Sequence, residues 1–341
     1  MDSAPASAEV ITPELAAHAE ALAQAKHWRE LKHLLISVPL AELQRHPRIL
    51  FLLADAYGRL GFAERALEMA RQAADLFEKA GDTRSLVTAR NRVGRFLFER
   101  GLLPEAERIF RIVVAEGEAL ALTDVVGGAL NNLGAIASVR GDRDEALRCY
   151  ERALQAFTAT KNEHGLAHTY HNLALAYRDA GLVQEAEALF AEVAQRASLA
   201  GDEWLATVAS TARAETRLQS GGSDSGADAD AMARQALLRF DVFASTLGQA
   251  EAQKLAGMAA VSRGDLDTAV RRLTDAIRLA DRHGNPLIAA EARYELGIVR
   301  MSLGQHDAAR NDLGAAAAAF ADLGNEDAAQ RAREALGRAA S

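Results

Sequence analysis

Three histidines, His164, His168 and His171, stand at i, i+4 and i+7. On a helix this spacing places them on one face. Imidazoles in such a row are zinc-ligand chemistry. An ideal straight helix, however, spreads them along about 10 Å. Convergence on one ion would need a donor from another segment, so the expectation is a polar groove and no metal. The single cysteine, Cys149, sits beside Tyr150 in an apolar stripe and reads as a structural thiol. The chain has no H-E-x-x-H, no G-x-S-x-G and no cysteine pair. Its Gly221 to Gly226 cluster lacks the lysine and preceding strand of a phosphate-binding loop. His283 and His306 read as helix-end residues, and Trp28 and Trp204 as packing residues. These observations predict a protein that is not an enzyme and needs no cofactor.

A second set of residues suggests binding. Asparagine recurs at Asn91, Asn131 with Asn132, and Asn172. It is a mediocre helix residue, so its recurrence needs a reason. A carboxamide both donates and accepts, and can hold an extended peptide backbone. The plainer alternative is that these side chains bond neighbouring helices. Charge is also graded along the chain. Arg48, Arg92 and Arg95 come early; Glu215, Glu251, Glu291 and Glu295 come late. If these share one groove, an acidic ligand segment would point toward the early residues. Ordinary solvated charge is the alternative.

The elements that would position them are visible as a repeat. Glycines fall at 61, 101, 141, 181 and 221, then at 264 and 304. Five residues after most of them comes an alanine: Ala66, Ala106, Ala146, Ala186, Ala269 and Ala309. Four further on stands Ala70, Phe110, Tyr150, Phe190, Leu273 or Leu313. Apolar stripes such as Tyr170, Leu173, Ala174 and Tyr177 lie on both sides of each glycine and have helical spacing. The glycine supplies the turn. Small residues at the stripe centre (Gly94, Gly134, Ala174, Gly257, Gly297) let two helices approach, and the large residue of the second helix fills the gap. One pair cannot bury its own face, but stacked pairs can.

Composition agrees. The 341 residues include 49% hydrophobic and 25% charged residues but only 6 prolines and 5% aromatics, which favours helix over strand. A net charge of −8 disfavours unselective nucleic-acid binding. There is no signal-peptide pattern and no apolar run of the roughly 20 residues that a span requires. The expectation is a cytoplasmic chain with no membrane insertion. The alanine and arginine bias suggests a bacterial source.

Leu53-Ala54-Asp55-Ala56-Tyr57…Gly61…Ala66 and Asn132-Leu133-Gly134…Gly141-Asp142…Ala146…Tyr150 resemble the tetratricopeptide repeat. The 40-residue period is similar to kinesin light chains, Pins-type scaffolds and bacterial Rap and MalT-type sensors. The resemblance implies an all-α, right-handed superhelical solenoid of about eight helix-turn-helix pairs plus a C-terminal capping helix. The expected pairs are 13–46, 47–81, 83–121, 123–161, 163–201, 202–248, 249–284 and 285–324, with a cap at 325–338, a disordered segment at 1–12 and a flexible loop at 220–228.

In this register the first helix of each pair lines the concave face. The expected peptide groove comprises Arg48, Phe51, Thr88, Asn91, Arg92, Arg95, Asn131, Asn132, His168, His171, Asn172 and Leu175. Repeats seven and eight place Glu251, Lys254, Leu255, Glu291, Tyr294, Glu295 and Ile298 on that face. The resemblance implies a non-catalytic scaffold that binds a segment of a protein or peptide partner. The rival class is a sensor whose superhelical pitch changes on binding a peptide or small molecule. A third is assembly into a homo-oligomer through the convex or end surfaces.

Overall fold

The computed structural model describes residues 11–199, 201–220, 225–243 and 245–340. Eighteen helices and no strand occur among them. Eight antiparallel pairs follow one another, α1(Pro13–Gln24) with α2(Trp28–Ile36), then α4(Pro47–Arg59) with α5(Ala63–Lys79), α6(Thr83–Glu99) with α7(Leu103–Ala119), α8(Thr123–Val139) with α9(Arg143–Thr160), α10(Glu163–Asp179) with α11(Val183–Leu199), α12(Glu203–Gln219) with α13(Ser225–Val242), α14(Thr246–Ser262) with α15(Leu266–Arg282) and α16(Pro286–Ser302) with α17(His306–Asp322). α18(Glu326–Ala340) closes the array. The short α3(Leu40–Arg45), between the first two pairs, was not expected. It follows Pro39, which cannot continue α2, and buries Leu43.

The small-against-large rule of the sequence operates throughout. A Cβ on Gly134 would stand 2.6 Å from the Tyr150 ring, so only glycine lets α8 and α9 approach this closely. The Tyr150 hydroxyl then reaches Ser138 Oγ at 3.2 Å. The turn glycines adopt left-handed backbone, with Gly61 at φ 81° and Gly181 at φ 79°. Caps follow the same rhythm. Asp82, Asp142, Asp202 and Asp265 each accept the backbone N–H three residues on. At two junctions between pairs a non-glycine takes the left-handed position: Ala121 at φ 52° and Lys161 at φ 56°.

Three boundaries differ from expectation. Ile11 is buried in the core and Thr12 caps α1, so only 1–10 of the segment expected to be disordered lie outside the described residues. Helix α13 begins at Ser225, inside the expected loop 220–228, of which 221–224 lie outside the described residues. Here Ala229, Ala233 and Ala236 extend the buried stripe back toward Gly226, whose carbonyl accepts from Arg263 at 3.3 Å. The seventh pair starts at Thr246 rather than at 249, because Ser245 caps α14 through the Gly248 N–H.

First helices touch first helices from pair to pair: α6 with α8, α8 with α10, α10 with α12, α12 with α14, and α14 with α16. They form the inner wall of the superhelix. The array also winds back on itself. The turn of the second pair meets the junction after the seventh, where His283 lies against Gly61. The turn of the third pair, at Gly101, meets Pro286 and Leu323. Arg140, at the turn of the fourth, packs beside Gly324. Leu287 and Leu323 thereby join the apolar core of the first pairs. Among the described residues no helix is long and apolar enough to cross a membrane.

Candidate functional site on the inner wall

The twelve groove residues expected from sequence lie on the first helices α4, α6, α8 and α10. Many already have partners within the fold. Arg48 Nε pairs with Glu20 at 2.5 Å. Arg92 Nε lies 2.7 Å from Asp55 Oδ1, and its guanidinium sits 5.9 Å from the centre of the Phe51 ring. Phe51 in turn meets Phe77 edge-on. Arg95 makes longer ion-pair contacts, 3.8 Å to Asp55 and 3.5 Å to Glu99, and its guanidinium sits 4.8 Å from the centre of the Phe96 ring. Thr88 returns its hydroxyl to the Arg84 carbonyl, as an unengaged helix threonine does. Asn172 Nδ2 donates to Asn131 Oδ1 at 3.0 Å, so this pair bonds helix to helix across α8 and α10. Asn91 stands beside Gly128, with its Oδ1 buried and unbonded. Asn132 is half-buried. Leu175 packs in the cluster of Ala174, Ala186 and Phe190.

The three histidines separate. His171 turns inward against Phe190, ring centres 5.5 Å apart, and burial pushes it down to about 4, with Arg178 adding to the shift. His164 and His168 stay together, with ring centres 4.4 Å apart. Cys149 is buried, and burial, then Glu145, pushes its thiol up to about 11. That fits a structural thiol, not a nucleophile.

A cavity lies further along the wall. It has a volume of about 370 Å³ and runs from Gly141 and Arg143 past Tyr177 to Tyr294, Glu295 and Phe320. None of the twelve expected residues lines it. Its floor is a buried ionic cluster drawn from four successive first helices. Lys254 Nζ is 3.2 Å from Glu215, 3.2 Å from Glu251 and 2.5 Å from Glu291. Arg178 reaches Glu215 at 3.6 Å. Burial alone would lower the Lys254 ammonium; the three carboxylates together raise it well above its ordinary value. Glu215 is held below the usual carboxylate range by Lys254 and Arg178 despite its burial.

Glu295 is the exception. It lines the cavity one helical turn beyond Glu291 and has no ion-pair partner among the described residues. Burial, then the charge of Glu215, pushes its carboxyl up to about 7, with Lys254 opposing and Glu291 adding. The late acidic residues therefore do share one face, but three of the four are engaged by a single lysine. The sequence register had placed Lys254, Glu291, Tyr294 and Glu295 on this wall; it did not show that Arg178 and Lys254 would neutralise the acids. Tyr177, which also lines the cavity, was legible only as part of a packing stripe, and Phe320 and Arg331 carried no sequence signal.

No curated protein matches the chain. Among solved structures, a Rap protein complexed with competence and sporulation factor is 12% identical, covers 96% of this chain and 98% of its own, and gives a TM-score of 0.55. NprR in complex with its cognate peptide NprX is 16% identical, with 84% and 82% covered and a TM-score of 0.53. A signal-transduction ATPase with a tetratricopeptide-repeat sensor, from Pyrococcus horikoshii, is 14% identical, with a TM-score of 0.51 over 82% of this chain and 43% of that one. At such identities the likeness is one of fold. Family models described as tetratricopeptide repeat match residues 126–212 and 254–328. With the turn glycines, the small-against-large pairs and the stacked helix hairpins on the same chain, this makes it a tetratricopeptide-repeat protein.

Proposed function

We propose that the chain is a non-catalytic peptide-binding module, and that its ligand brings a cationic group to Glu295. The observation that carries this reading is a carboxyl with no ion-pair partner among the described residues, in the wall of a cavity of about 370 Å³. That volume is at the lower end of the range of ligand sites. Tyr177, Tyr294, Phe320, Leu182 and Met258 supply apolar and aromatic wall, while Glu295 supplies orientation. A lysine, an arginine or a free amino terminus would restore the missing charge balance. The acidic ligand segment expected from Arg48 and Arg92 has less support, since both already hold carboxylates. Arg95, with its looser contacts, is where such a segment would bind. A ligand longer than the cavity would run onto α10, α8 and α6, past Leu175, Asn132 and Asn91.

The test is affinity selection from a mixed-sequence pentapeptide library, read by mass spectrometry, with wild type beside Glu295→Gln. Enrichment of Lys- or Arg-bearing or free-amino peptides by wild type, lost in the variant, is the expected result. Enrichment of acidic peptides, or equal capture by both proteins, would overturn the reading.

The seam between superhelical turns favours a second reading, a sensor. Binding that alters the rotation between pairs five to eight would part His283 from Gly61, because small rotations accumulate along a solenoid. Solution scattering of the free protein and of the protein with its selected peptide would show a change in radius of gyration. Identical curves would leave the rigid scaffold.

A further inference from the structure

His164 and His168 occupy the first two turns of α10, one helical turn apart and on one face. The residue facing them comes from the next pair. Asp202, at the head of α12, places Oδ2 3.0 Å from His164 Nδ1. One donor atom from each of the three residues lies within 4.8 Å of the others. Asp202 is held in place by its second oxygen, which accepts the Leu205 N–H at 3.1 Å. Trp204 packs beside His168, ring centres 6.0 Å apart. His164 is exposed, so its imidazole can turn without disturbing the core.

We propose that His164, His168 and Asp202 bind a divalent transition-metal ion of the Zn²⁺ type, which clamps α10 to the head of α12. The help that three histidines on one helix would need is supplied by Asp202, and His171 is not part of the set. Two imidazoles and one carboxylate suit Zn²⁺ and its neighbours, not Mg²⁺ or Ca²⁺, which take oxygen ligands. Bonds of roughly 2.0–2.2 Å require the three donors to close in from their present spacing. The exposed His164 is the side chain that moves. A fourth position is left to water or to a donor from a bound ligand. Lys26 and Arg59, the positive charges felt at Asp202 and His168, weaken the site without occupying it. The clamp would fix the angle between the fifth and sixth pairs.

The experiment uses the whole chain without an affinity tag, in a Trp28→Phe background that leaves Trp204 as reporter. ZnCl₂ is titrated by calorimetry, and CoCl₂ by quenching of Trp204. The expected result is one saturable step at one ion per chain. Co²⁺ quenches Trp204, Zn²⁺ reverses the quenching, and the melting temperature rises with Zn²⁺. His164→Gln, at an exposed position, weakens the step at least tenfold and removes the thermal shift. Asp202→Ser keeps a capping hydroxyl and weakens it likewise. His33→Gln, at another exposed histidine, leaves it unchanged. Absence of a saturable step, or equal binding by His164→Gln and wild type, overturns the proposal.

Discussion

The imidazole Nδ1 of His283 donates to the carbonyl oxygen of Gly61 at 2.9 Å, across 222 residues of chain. It joins the turn of the second helix pair to the junction after the seventh. A Cβ on Gly61 would stand 2.6 Å from His283 Cε1, whereas nothing lies within 4 Å of one on Gly181, whose backbone is equally left-handed. Gly181→Ala therefore carries only the backbone cost, about 1 kcal/mol. Gly61→Ala loses more, because it also displaces the histidine. Urea unfolding of the two variants measures the difference, and equal losses would mean that the seam contributes nothing.

Lys254 is the only cation within ion-pair distance of Glu251 and Glu291 among the described residues. Lys254→Met leaves three carboxylates facing one another in a buried wall. A loss of about 3–5 kcal/mol is expected, as for other broken buried pairs. Adding Glu215→Gln to Lys254→Met recovers part of it. Chemical denaturation of the single and double variants tests this, and additive losses would contradict the shared cluster.

Glu295 gives a pH dependence of definite sign. Its folded value, about 7, lies above its ordinary 4.5, so the folded state holds the proton more tightly. The stabilisation is complete below pH 4.5 and disappears as pH rises through 7. Glu295→Gln removes this dependence. It melts like wild type at about pH 4 and is more stable at about pH 8, by up to about 3 kcal/mol. Parallel melting curves across that range would show an ordinary solvated carboxyl.

His171 acts in the opposite direction. Buried against Phe190 and lowered from 6.5 to about 4, it contributes stability above pH 6.5 that is lost as pH falls toward 4. Its ring signals in an NMR titration are expected to stay neutral through pH 5. A midpoint near 6.5 would place the ring in water.

Lys161 holds left-handed backbone at φ 56°, where other junctions use glycine, as at Gly81 and Gly201. Lys161→Gly relieves that strain, and even after the added freedom of the unfolded chain a gain of up to about 1 kcal/mol is expected. Thermal unfolding reads it directly.

The repeat, the helix pairs and the positions of tight contact were legible in the sequence because they are local and periodic. Gly134 must face Tyr150 sixteen residues later, Gly141 must turn the chain between them, and Asp142 must cap α9; each requirement acts within one pair. The boundary at α13 was misread because glycine and serine signal a loop while the alanine stripe behind them signals a helix, and packing against α14 decided between the two. The acidic positions of the inner wall were also legible. Their pairing was not, since which charge meets Lys254 depends on the rotation from one pair to the next. The same holds for Asp202 beside His164, and most of all for His283 beside Gly61. These contacts depend on superhelical pitch, which is the sum of many small rotations between neighbouring pairs. A repeat fixes what each pair is, and only the stacked array decides which distant residues it brings together.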